Sequence, residues 1–165
     1  MWTKFKRAYF TLVFILTCLP VSPLVAATQV SQEFTLQTWD KLVKHTNAAS
    51  IVVFTTTDCS HCPAVIEYLS QRVKQVKLAS QRPALQVVVM DGLDEPELIK
   101  QGHYLLADKL WVFQGNRSAL QYSVNPKWRG LTPYVALIAA NQAEFIIGKP
   151  EPEKLSQFLL KLTSP

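Results

Sequence analysis

The chain predicts an α/β domain with a mixed central sheet and helices on both faces. Three observations carry this expectation. A β-branched run, Ile51-Val52-Val53-Phe54-Thr55, leads into Cys59-Ser60-His61-Cys62 and then at once into Pro63 and a helix-patterned segment. A second apolar run, Leu85 to Met90, follows that segment. Far along the chain two more strand-like runs, Tyr134 to Ala140 and Phe145 to Ile147, are joined by a turn at Asn141-Gln142 ahead of an amphipathic end. Strand, helix, strand with a helix of this length closes as a right-handed parallel crossover, whereas the late pair is antiparallel, so the sheet is mixed.

The elements follow in order. Thr38 to His45 carries Trp39, Leu42 and Val43 at helical spacing, with Lys41 and Lys44 on the other side and Asn47 as a stop. Ile51 to Thr55 is a buried strand by composition. Pro63 to about Leu78 is a helix with Ile66, Leu69, Val73 and Val76 on one stripe. Pro63 falls in its first turn, where a missing N–H removes no hydrogen bond. Leu85 to Met90 is a second buried strand, ended by Asp91-Gly92. Between Leu93 and Trp128 the pattern is poor: Pro96 to Lys100 and Arg117 to Tyr122 read as short helices, and Gln114-Gly115-Asn116 as a turn. Glu153 to Leu162 closes the chain as a helix with Leu155, Phe158, Leu159 and Leu162 on one face.

A strand, then Cys-x-x-Cys, then a helix is the arrangement of a thiol-disulfide redox site. Unpaired N–H groups and the positive dipole end at a helix N-terminus stabilise an anion, so a cysteine placed there ionises more easily. Cys59, at the strand-to-helix junction, is the expected nucleophile. Cys62, about one turn on, reaches the first sulfur and resolves a mixed disulfide. His61 lies between them, where an imidazole that donates to the Cys59 thiolate stabilises the reduced form, while Asp58 opposes a thiolate. Rival readings are a static disulfide, a solvated His61, and a zinc site using Cys59, His61 and Cys62. A closed zinc site takes four ligands with paired spacing, and His45 and His103 show no such pairing. No metal and no cofactor are expected.

Arg129-Gly130-Leu131-Thr132-Pro133, directly before the late strand pair, makes the chain resemble the thioredoxin superfamily from about Phe34 to Leu162. Through Trp128-Arg129-Gly130 it is most similar to the secreted TlpA/ResA-like thiol-disulfide oxidoreductases. The resemblance implies a cis bond at Thr132-Pro133 that packs against the cysteines, and backbone groups of Thr132 presented to a bound substrate strand. It also implies a reductase of protein disulfides that takes electrons from a membrane thiol donor. A DsbA-like oxidase or isomerase is the alternative favoured by His61, and a non-catalytic binding or metal-carrier module is the alternative of a different class. Two positions depart from ordinary thioredoxins: Asp58 stands where Trp precedes the first cysteine, and Val53 where a buried acid stands. Cys62 is thus left without an assigned proton acceptor, and Glu67 is a weak candidate. Trp39, Trp111 and Trp128 read as core or rim aromatics.

The first residues read as a secretory signal. Lys4, Lys6 and Arg7 form a basic start, Ala8 to Leu19 a largely apolar stretch, and Val25-Ala26-Ala27 a small-residue cleavage site. The rival, an uncleaved anchor, is opposed by Pro20 and Pro23 and by an apolar core shorter than the roughly 20 residues of a span. Lipidation at Cys18 is opposed by Thr17, where Gly, Ala or Ser usually stands. The expected division is a signal peptide, 1–27, and one thioredoxin-like domain, 28–165, exported to the periplasm or beyond. Three of the 17 basic residues and none of the 12 acidic ones leave with the signal, so the whole-chain charge of +5 falls to +2. The remaining Lys and Arg are scattered, which excludes a nucleic-acid face. The expected partners are substrate proteins with cysteines and a membrane thiol donor or acceptor. Both remaining cysteines are in the motif, so neither is spare for a structural bridge.

Overall fold

In a computed structural model, the structure describes residues 31–44, 48–100 and 102–163. The proposed signal segment, Cys18, His45 and Asn47 lie outside the described residues. Six strands form one sheet: β1 (Gln32–Phe34), β2 (Ser50–Thr55), β3 (Ala84–Val89), β4 (Lys109–Phe113), β5 (Tyr134–Ala139) and β6 (Gln142–Ile147). Four helices accompany them: α1 (Leu36–Lys44), α2 (Cys62–Lys74), α3 (Arg117–Val124) and α4 (Pro152–Thr163). The spatial order is β1-β4-β3-β2-β5-β6. β1, β4, β3 and β2 run parallel to their neighbours, and β5 pairs antiparallel with both β2 and β6. The sheet is therefore mixed, as the sequence predicts.

Burial explains the order. All six residues of β2 are buried, because this strand has a partner on each edge and helices over each face. Its side chains alternate between two cores. Ile51 and Val53 pack with Val65, Ile66 and Leu69 of α2 and with Leu155 and Phe158 of α4. Val52 and Phe54 pack with Trp39 and Leu42 of α1 and with Leu120 and Val124 of α3. Helices thus cover both faces. At the edge, β6 alternates exposed and half-buried residues along most of its length.

The structure differs from the sequence reading at three places. β1 and β4 were not expected; β4 lies in the stretch that read poorly, and the link before it is made of short 3₁₀ turns, Leu98–Lys100 and Gly102–Leu106. α2 ends at Lys74, earlier than the apolar stripe suggested. Its last turn tightens, with Gln75 N–H donating to Arg72 O and Val76 N–H to Val73 O, while Val76 stays buried beyond the helix. The turn of the late hairpin is Ala140-Asn141, both at positive φ (50° and 61°). Paired left-handed residues suit the strand twist of a tight hairpin. Among the described residues no helix is long and apolar enough to cross a membrane.

Candidate active site

The parallel strands β2 and β3 end at the same edge of the sheet, and crevices outside such strand ends are where open α/β sheets bind ligands. Residues 56–61 cross that edge. Cys59 N–H donates to Thr56 O at 3.3 Å and Cys62 N–H to Cys59 O at 3.2 Å, so the cysteines bracket a tight turn that runs straight into α2. Cys59 and Cys62 form a disulfide, with Cα atoms 5.4 Å apart. Cys62 opens α2 and is wholly buried; Cys59 is half-buried and precedes the helix. Of the two cysteines, only Cys59 keeps solvent exposure.

The other residues predicted for the site are distributed as follows. His61 is exposed at the N-terminal cap of α2 and makes no capping bond through its side chain. The Thr132-Pro133 peptide bond is cis. Thr132 is joined to the cysteine turn by a 3.4 Å contact between its hydroxyl and that of Thr56, and Pro133 is buried beside it. Val53 is fully buried, so no carboxylate stands beneath the cysteines at that position. Glu67 is exposed on α2. Its carboxylate raises the pKa of His103, but burial is the larger influence and the net direction is down. Among the described residues no three His, Cys, Asp or Glu side chains come together as a metal site.

Trp128 belongs to the core and is bonded to the loop before Thr132. Its ring stacks on Tyr134 (centroids 4.6 Å apart, 6° between planes) and leans on Phe54 at 5.1 Å. Its indole N–H donates to Leu131 O at 2.9 Å, directly before Thr132. Gly130 takes φ +79°, a conformation that side chains disfavour. The loop that delivers Thr132-Pro133 is therefore held by a buried aromatic on one side and a glycine bend on the other.

Sequence reasoning missed two residues here. Asp91, just past β3, accepts from Thr57 N–H with both carboxylate oxygens, at 2.9 and 3.1 Å, and from the Thr57 hydroxyl at 2.8 Å. In the sequence Asp91 marks only the end of an apolar run, and no local signal joins it to the cysteines. Tyr104, buried in the second 3₁₀ turn, has its phenol pKa pushed up by burial and by the Asp91 and Asp58 carboxylates, against a hydrogen bond with Thr55.

No family model matches the chain, and no curated protein matches it. Solved structures do. The thioredoxin-like superfamily protein SPOA0173 is similar at a TM-score of 0.54 and 16% identity, over 82% of this chain and 89% of that one. The thioredoxin-related protein from Neisseria meningitidis serogroup B is similar at a TM-score of 0.51 and 16% identity, over 73% of this chain and 88% of that one. The thioredoxin domain of a thiol-disulfide oxidoreductase from Bacteroides vulgatus is similar at 0.50 and 13%, over 72% and 81%. The fold is thioredoxin-like, with a Cys-x-x-Cys disulfide where its first long parallel strand meets a helix.

Proposed function

We propose that this protein is a secreted thiol-disulfide oxidoreductase that exchanges its Cys59–Cys62 pair with cysteines of other proteins, acting as a reductase. The observation that carries the reading is the disulfide itself, with a half-buried Cys59 in the turn before α2 and a fully buried Cys62 at the helix start. The thiol-disulfide oxidoreductase among the similar structures supports it. Residues 1–27 serve as the export signal, the domain spans 28–165, and a membrane thiol donor returns electrons to the pair.

In the reducing direction the Cys59 thiolate attacks one sulfur of a substrate disulfide. A Cys59–substrate bond forms, and the other substrate sulfur leaves as a thiolate that takes a proton. The Cys62 thiol loses its proton and attacks the Cys59 sulfur, which releases the second substrate sulfur and restores the disulfide. Two electrons pass to the substrate, and no cofactor is required. Thr132 presents backbone groups to the substrate strand, and Pro133 sets the edge against which that strand lies.

Replacing Cys62 with serine should leave an attacking thiol with nothing to resolve it, so Cys62→Ser accumulates mixed disulfides with cellular proteins and Cys59→Ser accumulates none. Non-reducing gels of acid-quenched cells measure this; equal trapping by both variants would remove the assignment. Wild type should also reduce insulin, which a binding module would not.

His61 is assigned to stabilising the Cys59 thiolate from its exposed place at the helix start. His61→Ala should then shift the equilibrium with glutathione toward the disulfide by about threefold, or about 15 mV, and raise the pH midpoint of Cys59 alkylation. Values matching wild type would make His61 a solvated bystander. The same titration decides between reductase and oxidase, because the potential relative to the compartment sets the direction of electron flow.

A further inference from the structure

Among the described residues, and apart from its chain ends, the cysteine turn is fastened to the rest of the molecule at two points. One is the 3.4 Å hydroxyl contact between Thr56 and Thr132. The other is Asp91, whose carboxylate takes both the N–H and the hydroxyl of Thr57, two residues before Cys59. Charge-assisted bonds to a carboxylate are stronger than a long contact between neutral hydroxyls, so Asp91 is the firmer anchor.

Asp91 is itself held in place. Met90, beside it, donates its N–H to Thr55 O at 2.8 Å and accepts from the Arg117 guanidinium at 3.1 Å. Gly92, on its other side, is buried where an added Cβ would lie 3.1 Å from Val89 Cβ and 3.3 Å from Val112 Cγ2. The backbone behind the carboxylate is wedged against β3 and β4, so the carboxylate is presented from a rigid base. Rigid support from outside the reacting groups is what keeps a site's geometry fixed.

We propose that Asp91 is the positioning residue of the redox turn, holding Cys59 through Thr57, and that its negative charge keeps the Cys59–Cys62 couple on the reducing side. This rests on reading that pair as a redox couple. Among the described residues, the charged and titratable groups on the elements around the turn are Asp58 and His61 within it, Glu67 on α2, Asp91 after β3, His103 and Tyr104 in the 3₁₀ turn and Arg117 on α3. The helix start and His61 favour a thiolate at Cys59; Asp58 and Asp91 oppose it. Asp58 is exposed and screened by water, whereas Asp91 is half-buried and acts through a less polar medium. A disfavoured thiolate destabilises the dithiol form, which makes the couple more reducing.

The test uses the full chain and compares wild type with Asp91→Asn, Asp91→Ser, Asp58→Asn and Thr57→Val. Asparagine keeps an acceptor for Thr57 and removes the charge. Its equilibrium with glutathione should move toward the dithiol by about five- to tenfold, or about 20–30 mV, and the pH midpoint of Cys59 alkylation should fall. Asp91→Ser, a second neutral variant, should move the same way. Asp58→Asn should move less, and Thr57→Val, which keeps the charge and loses only the 2.8 Å hydroxyl bond, should not reproduce the shift of Asp91→Asn. Asp91→Asn and Asp91→Ser profiles that superimpose on wild type would overturn the proposal, as would a Thr57→Val shift equal to that of Asp91→Asn, because the charge would then not be the cause. A wild-type pair that does not exchange with glutathione at all would overturn the reading of the site together with the proposal, a result distinct from exchange that ignores Asp91.

Discussion

Phe54→Ala should lower the stability of the protein by about 3–5 kcal/mol and slow disulfide exchange at denaturant concentrations where the variant is still folded. Phe54 has no solvent exposure and sits in the middle of an aromatic cluster. Its ring centroid lies 5.1 Å from Trp128, 5.8 Å from both Phe34 and Trp39, and 6.4 Å from Tyr134. Removing the ring takes away its transfer free energy and leaves a cavity whose walls are large rings that cannot collapse inward without tilting. The second effect follows from Trp128. Without Phe54 behind it, the indole loses one wall of its slot, and with it the fixed direction of the N–H that holds Leu131 O ahead of Thr132. Urea unfolding should show a lower midpoint with an unchanged slope. A loss below about 1.5 kcal/mol would mean that the core repacks around the gap, and unchanged exchange kinetics would separate the aromatic cluster from the Thr132-Pro133 loop.

Much of the fold was legible because its central parts carry strong local signals. The runs around Val52, Val87 and Leu137 are continuous and apolar since the strands they form are covered on both faces, and α4 shows its buried stripe openly. The link between β3 and β4 was not legible for a physical reason. Short 3₁₀ turns have no repeating face long enough to produce a period, and Tyr104 is buried by tertiary packing of a five-residue turn, which composition does not reveal. β1 has only three residues, and it exists because β4 offers it an edge. β4 itself, Lys-Leu-Trp-Val-Phe, has strand composition, yet at five residues its signal is drowned by the turn residues that flank it.

The candidate site was legible in its cysteines, since their spacing and the helix after them are local facts. Thr132-Pro133 was legible only through resemblance. Asp91 was not legible as a site residue, because its importance depends on the end of β3 lying beside the cysteine turn. Parallel pairing of Thr55 with Val89 creates that proximity, and it connects residues 34 positions apart through an intervening helix. A buried acid at the position of Val53 would have been visible by register. A carboxylate that serves the turn from a neighbouring strand is visible only once the sheet is built.

The same lesson applies to Gln86, which lies within an apolar run and read simply as part of a buried strand. It is 2% exposed, and its amide spans two partners: Nε2 donates to Ser50 Oγ at 3.0 Å, and Oε1 accepts from the Trp111 indole N–H at 2.8 Å. The amide thus ties β3 to both of its neighbours, β2 and β4, inside the core. Gln86→Leu removes both bonds at once and leaves a buried hydroxyl and a buried indole N–H without partners. Each orphaned group costs about 1–3 kcal/mol, so the single variant should lose about 2–6 kcal/mol. Replacing the whole set should restore much of that loss, since an apolar trio has nothing to satisfy. In Gln86→Leu combined with Ser50→Ala and Trp111→Phe, the total loss should therefore fall below the sum of the three single losses by more than about 1 kcal/mol. Denaturant unfolding of the four variants measures it. Strict additivity would show that the three side chains act independently, and that the amide contributes through its packing volume rather than through its bonds.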